Sequence, residues 1–394
     1  MSIKDLLAKA SKYTNPEYQI PEEEPWEPTR EEPEPAQTEN PFTFHIKWDI
    51  PDDTDLQRAI RECCQYMGFP VEIEKAESSP LYFSYQLFYD GDPEKLVRKQ
   101  NRLSGLVNQP CELEITGNGR ICCKVKNPGN NIIRFGDVWK NGDFSGTLPM
   151  AIGYNAAGQP VTVDLAKQPH LLISGQTGSG KSILLHNITC SLLMASDCEL
   201  ILVDPKMVEF SYYKSLSRVR MVTETIYAID LLKELCVEMD ARYRKLSSAG
   251  CRDIDEYTGK GYHMTRKVVI VDELADLMNM SGQLKKTIET SLQRIGQKAR
   301  ACGIHMILCT QSPRKEVISG IIKANMTTRI CMAVGSGTES QIALSEGYTG
   351  GKDLKGKGEM LLLGNGNRRP IWVQGGLIEK HEIVNCVEIV SGRW

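Results

Sequence analysis

No run of about 18 or more apolar residues occurs in this 394-residue chain, which excludes a helical membrane span on length grounds. The opening MSIKDLLAKASKYTNPEYQI also lacks the apolar block and small-residue cleavage site of a secretory leader, so the expectation is a cytoplasmic protein with no intrinsic membrane anchor. A strong charge imbalance is missing too. The formal net charge of −3 gives no global attraction to nucleic acid, and any DNA-binding surface must be a local patch. Thirteen cysteines are present, yet none forms a CxxC and two pairs are adjacent, Cys63–Cys64 and Cys122–Cys123. That scatter argues against a metal or disulfide framework and for reduced, mostly buried thiols. What remains, 41% hydrophobic and 25% charged residues, suffices for one large or two ordinary globular domains.

Composition changes along the chain. Ile3, Leu6, Leu7 and Ala10 share one helical face, which fits either a frayed terminal helix or a docking helix. The stretch PEEEPWEPTREEPEPAQTENP follows, dense in Glu and Pro; it cannot bury enough apolar surface to offset its ordering entropy and reads as a disordered linker. A solvated spacer accounts for it, and so does an acidic strip that restrains a basic channel. From Phe42 to Trp139 the texture becomes mixed: DTDLQRAIRECCQYM predicts a helix, PVEIEKAESSPLYFSYQLFY strand, PEKLVRKQNRLSGLV a second helix, and CELEITGNGRICCKVKN a hairpin turning at Gly117-Asn118-Gly119. This is a small α+β module without a catalytic set, and its His45 reads as structural. From about residue 140, apolar runs (HLLISG, CELILVDP, KVVIVDE, IHMILCTQ, RICMAVGS) alternate with helical stretches. They predict an α/β core built on a parallel sheet covered on both faces.

The chemistry is concentrated at the ends of these runs. Gly175, Gln176, Thr177, Gly178, Ser179, Gly180, Lys181 and Ser182 fit G-x-x-x-x-G-K-[ST], with an apolar strand before them and the helix SILLHNITCSLLMA behind; Ile183 joins them as a candidate nucleotide-binding residue. Glycines there let backbone N–H groups curl round phosphates; Lys181 would reach the β and γ phosphates of ATP, and Ser182 would hold Mg2+. KVVIVDELADL supplies the complementary half: a buried strand ending in Asp272, a candidate for the Mg2+ shell, and Glu273, a candidate to polarise the attacking water. A third strand, IHMILCTQS, ends in Thr310 and Gln311, where an amide can sense the γ-phosphate or orient water.

The blocks PHLLISGQTGSGKS, ILVDPKMVEFSYY, VVIVDELADLM, QKARACGIHMILCTQSP and ISGIIKANMTTRI, in this order, resemble the FtsK/SpoIIIE family of DNA-translocating ATPases over most of residues 147–364. The resemblance implies a RecA-like P-loop motor with a predominantly parallel sheet (140–394), preceded by a small α+β domain (42–139) and a terminal helix with a disordered acidic, Pro-rich linker (1–41). It also implies a homohexameric ring that hydrolyses ATP and pulls double-stranded DNA through its pore. Arg300, in QKARACGIH, matches the segment carrying the family's trans-acting arginine, and Arg329 is the reserve.

The sequence departs from the family where DNA would be gripped. Ser312 and Gly337 stand where the family has basic residues, leaving Arg314, Lys315 and Lys323 as candidate DNA contacts; Lys352, Lys355 and Lys357 of GGKDLKGKG are alternatives or a solvated loop. N-terminal membrane spans and a C-terminal winged-helix segment are not found before Trp394, and EKHEIVNCVEIV reads as the closing element of the motor. These features imply a stand-alone translocase of a phage or mobile element, with residues 1–41 as a recruitment segment for a protein partner. A conjugation or secretion coupling ATPase, and a regulatory module whose ATPase switches assembly state, are the competing readings.

Overall fold

The alternation of apolar runs and helices builds one large sheet and one small one. The computed structural model describes residues 53–392 apart from 79–81, 108, 110, 117, 118 and 127–131, all within the unit Phe44–Trp394. The expected terminal helix, acidic linker, His45 and most of the 117–119 turn lie outside the described residues.

The small sheet carries α1 (Asp53–Tyr66), β1 (Glu72–Ser78), β2 (Tyr82–Phe88), α2 (Pro93–Val97), α3 (Gln100–Val107), β3 (Cys111–Ile115) and β4 (Ile121–Lys126). Its strand order is β1-β2-β4-β3, antiparallel throughout. Leu56 and Ile60 of α1 meet Tyr85, Leu87, Ile121 and Cys123 in a separate core. Two expectations need correction. The single stretch 70–89 forms two antiparallel strands, paired from Glu72 with Phe88 to Ser78 with Phe83. The single helix expected over 93–107 is two, since Lys99 N–H bonds back to Leu96 O, an i−3 contact that ends the first helical run.

The large sheet begins after α4 (Phe135–Asn141), whose Phe135 and Val138 are buried in its core. It continues with β5 (Pro149–Asn155), β6 (Pro160–Asp164), β7 (His170–Ser174), α5 (Lys181–Ala195), β8 (Glu199–Val203), β9 (Val219–Val222), α6 (Thr225–Ser248), α7 (Ile254–Gly259), β10 (Lys267–Val271), α8 (Leu274–Met278) and α9 (Gly282–Lys298). Then come β11 (Ile304–Thr310), α10 (Gly320–Asn325), β12 (Thr328–Met332), α11 (Gly337–Ala343), β13 (Glu359–Gly364), β14 (Asn367–Gly375) and α12 (Lys380–Ser391). The strand order is β6-β5-β14-β13-β12-β7-β11-β10-β8-β9. The run from β12 to β9 is parallel, and the four strands on the other side are antiparallel.

Why the parallel strands read as unbroken apolar runs is visible residue by residue. In β10, Val268 and Ile270 face one core while Val269 and Val271 face the other; β8 divides the same way, Leu200 and Leu202 against Ile201 and Val203. Every position is buried on one face or the other, so period-2 alternation disappears from the sequence. Each such aliphatic side chain contributes about 1.5–3 kcal/mol on burial. The helix α5 is enclosed along its length. Two of its polar side chains are tied to other elements: Asn187 Nδ2 donates to Gly376 O at 2.6 Å, and Ser191 Oγ accepts from Ala151 N at 3.1 Å. On the same face, Cys386 of α12 donates from Sγ to Cys190 O at 3.9 Å, seating the last helix on α5. All thirteen cysteines are free thiols, twelve of them buried and Cys122 half-buried.

Candidate active site

Parallel strands in register bring their C-terminal ends to one edge. Val271 is paired with Val203 and Leu308, and Thr310 with Ser174, so the segments leaving β7, β8, β10 and β11 meet there. Between β7 and α5, Gly178 (φ 81°) and Gly180 (φ 101°) take left-handed conformations that a side chain would oppose. At Gly180 there is also no room, since a Cβ would lie 2.7 Å from Gly358 N. The loop before α5 is tied down by Gly175 N to Thr310 O (3.1 Å), Gln176 N to Ala333 O (2.9 Å) and Gly358 N to Ser179 O (2.8 Å). At the start of α5 the N–H groups of Lys181, Ser182 and Ile183 have no acceptor four residues back within the helix and open onto this edge.

Lys181 is buried, and its Nζ donates to Asp272 Oδ1 at 2.5 Å and to Asp272 O at 2.8 Å. Burial works to depress the lysine pKa; the neighbouring acidic groups Cys309, Asp272 and Glu273 more than offset it, so the pKa is raised and the ammonium stays charged. Glu273 is held on both carboxylate oxygens. Oε1 accepts from Thr310 Oγ1 at 2.8 Å and from Ala275 N at 3.1 Å, where Glu273 also caps α8, and Oε2 accepts from Gln311 N at 3.1 Å. Gln311 is linked to the glycine loop as well: Thr177 Oγ1 donates to Gln311 Oε1 at 3.0 Å. Ser182 Oγ donates to Glu209 Oε1 at 2.6 Å.

The donor set suits Mg2+ bound with a nucleotide. Ser182 and Asp272 offer oxygen only, which a hard cation prefers, and among the described residues no cluster of three or more His, Cys, Asp or Glu forms an all-protein metal cage. One or two protein oxygens plus phosphates and water is the usual way Mg2+ is held.

A family model for FtsK/SpoIIIE matches residues 137–315. The chain is 38% identical over 296 residues to the DNA translocase SftA of Bacillus subtilis, covering 72% of this chain and 31% of that protein. It is 34% identical over 362 residues to the DNA translocase FtsK of Streptococcus pyogenes serotype M6, covering 85% of this chain and 44% of the relative. The chain carries an FtsK/SpoIIIE family domain. It spans less than half the length of these curated relatives. Among solved structures, the pCW3 conjugation coupling protein TcpA, in its monomer form with ATPγS, matches with a TM-score of 0.63 at 24% identity, over 86% of this chain and all of that one. The cytoplasmic domain of the type VII secretion ATPase EccC from Thermomonospora curvata gives a TM-score of 0.54 at 21% identity, over 66% of this chain and 32% of that one. These likenesses establish the RecA-like P-loop ATPase fold.

The candidate residues fall into two groups. Gly175–Ile183, Asp272, Glu273 and Gln311 converge on one edge, as described. Arg300 does not join them: it is exposed and lines a cavity of about 430 Å3 with Arg266, His305 and Asp253 at the strands' N-terminal edge, beside the starts of β10 and β11. Arg329 is half-buried, with Nε donating to Met326 O at 2.7 Å and its terminal nitrogens bonded to Leu344 O and Lys323 O; in this arrangement it closes the end of α10 within its own chain. Burial lowers its pKa. Lys323 Nζ likewise donates to Gln341 O at 2.6 Å, whereas Arg314 and Lys315 are exposed just beyond β11.

Two contributors at this edge have no motif to announce them. Glu209 reaches Ser182 from the loop after β8. Gly356, Lys357 and Gly358 (φ 78°, 51° and 90°) turn through three consecutive left-handed conformations to buttress the glycine loop, Lys357 N donating to Gly178 O at 3.4 Å. The density of glycine in GGKDLKGKG is the available signal for the second.

Proposed function

We propose that this chain is an ATP-driven translocase that moves double-stranded DNA through a homohexameric ring in the cytoplasm, serving a phage or mobile element. Residues 1–41 act as a recruitment segment for a protein partner, 42–139 as the small α+β domain and 140–394 as the motor. ATP lies along Gly175–Ile183, with Lys181 on its β and γ phosphates. Ser182 and Asp272 hold Mg2+, which when bound neutralises charge on the phosphate oxygens. Glu273 accepts a hydrogen from the attacking water, Gln311 responds to the γ-phosphate, and Arg300 of a neighbouring subunit completes the site. Arg314 and Lys315 follow the DNA backbone, while Lys323 is held back from it by its bond to Gln341 O.

The observation that carries this reading is the fixed Glu273 carboxylate, bonded by Thr310 Oγ1, Gln311 N and Ala275 N beside the buried Lys181–Asp272 pair. DNA as the cargo is supported by the relatives, which are DNA translocases. The test is the steady-state ATPase rate with and without long linear double-stranded DNA, with Lys181→Ala as the blank. Stimulation that weakens as salt rises is expected. A rate above the blank but indifferent to DNA would overturn the DNA-motor reading and favour a coupling ATPase that moves protein, a second reading to which Ser312 and Gly337, uncharged where the family is basic, lend support.

A further inference from the structure

Ser182 is one half of a pair. Its Oγ lies 2.6 Å from Glu209 Oε1. A hydroxyl has one hydrogen and two lone pairs, and a carboxylate only accepts, so the hydrogen of Ser182 is committed to Glu209 and its lone pairs face elsewhere. An otherwise free rotor is thereby set.

The position of Glu209 is itself built. Asp204, fully buried at the end of β8, accepts N–H bonds from Lys206 (3.2 Å), Glu209 (2.9 Å) and Phe210 (3.2 Å), which folds residues 204–210 back on themselves. Met207 takes the left-handed conformation this requires (φ 55°), and the next anchor, Phe210, is fully buried. Behind the carboxylate lies His186, whose Nδ1 is 2.9 Å from Tyr213 Oη and whose Nε2 is 3.9 Å from Glu209 Oε2. Burial depresses the His186 pKa to about 4, so the ring is neutral near pH 7 and does not neutralise Glu209. The carboxylate is left with Ser182 Oγ as its close partner, at 2.6 Å.

We propose that Glu209 is a positioning residue of the nucleotide site: it accepts the Ser182 hydroxyl hydrogen and so presents the hydroxyl lone pair to the Mg2+ that accompanies ATP. The role is that of an outer carboxylate orienting an inner ligand. It rests on the reading that Ser182 holds Mg2+.

The experiment titrates Mg2+ into the full chain with a fluorescent ADP analogue and reads nucleotide affinity, beginning in EDTA. Glu209→Ala should raise the Mg2+ concentration needed for tight binding by about tenfold or more and leave affinity in EDTA unchanged. Glu209→Gln, whose amide oxygen still accepts the hydrogen, should restore most of the loss. If Ser182→Ala loses Mg2+ dependence while Glu209→Ala keeps it, the proposal fails and the reading of Ser182 stands. If Ser182→Ala responds to Mg2+ like the unaltered protein, that underlying reading fails instead. Loss of affinity in EDTA with Glu209→Ala, or a Gln variant as poor as Ala, would also overturn the proposal, because either points to loop integrity or charge rather than hydroxyl orientation.

Discussion

Lys181 and Asp272 form a buried ion pair across the glycine loop and β10, with side chains 6% and 4% exposed and Nζ held by both the carboxylate and the backbone carbonyl of the same residue. Removing either partner leaves the other charge buried and uncompensated, which costs about 3–5 kcal/mol. Lys181→Met and Asp272→Asn should each lose stability on this scale in urea unfolding at pH 7. The double variant should lose clearly less than the sum. Strictly additive losses would show that the two charges do not interact as the geometry requires.

Glu273 invites a different test, because its partners fix orientation rather than charge. A general base contributes roughly 100-fold to 10,000-fold to a rate, so Glu273→Gln should reduce ATP hydrolysis by at least about 100-fold while nucleotide still binds. Thr310→Val removes the hydroxyl that donates to Oε1 at 2.8 Å and leaves the backbone donors of Ala275 and Gln311 in place. A smaller fall in kcat with unchanged nucleotide affinity is expected. A Thr310→Val enzyme that hydrolyses at the full rate would mean that this bond does not orient the carboxylate.

How much of this was legible in the sequence depends on how local the causes are. Val268–Val271 and Leu200–Val203 declare themselves because both faces of their strands are buried, and Gly175–Ser182 because phosphate binding constrains adjacent residues. The antiparallel pair within 72–88 hid behind two adjacent runs of similar β-forming residues that read as one. Glu209 was not legible as a site residue: it reaches Ser182 only because Asp204 gathers three backbone N–H groups, a fact of folded geometry with no residue pattern of its own. Arg329 shows the converse. It reads as a free cation in NMTTRI, and its partners are carbonyls made available by the end of α10 and by Leu344.

That distinction separates the candidate DNA contacts. Arg314 and Lys315 are exposed and form no ion pair among the described residues, so alanine at either should weaken DNA stimulation and reduce the salt slope of DNA binding by about one. Lys323 already donates to Gln341 O, and Arg329 lies beside it. Lys323→Ala should appear chiefly as lost stability in thermal unfolding, with the salt slope nearly unchanged. Equal slope changes for all three would place Lys323 on the DNA despite its carbonyl bond.

The last prediction concerns acid. Burial holds His170 at a pKa of about 3, with His305 also acting to lower it, and burial holds His186 and His305 at about 4, against 6.5 for a free imidazole. His170 Nδ1 accepts from Met306 N at 3.1 Å, and His305 Nδ1 donates to Pro169 O at 3.1 Å; the Nε2 atoms of both are buried without a partner. Between about pH 6.5 and pH 4 the unfolded chain therefore binds protons that the folded chain does not. Stability is fully present above 6.5 and falls as pH drops through this window, by on the order of 3 kcal/mol for each histidine once its folded pKa is reached. Urea unfolding at pH 7.0, 6.0 and 5.0 should show the decline before most carboxylates titrate. His305→Asn, which still offers Pro169 O a donor, should reduce the slope by removing one of the three groups. A free energy of unfolding that stays level from pH 7 to pH 5, or a slope untouched by His305→Asn, would show that these imidazoles are not held neutral by the fold.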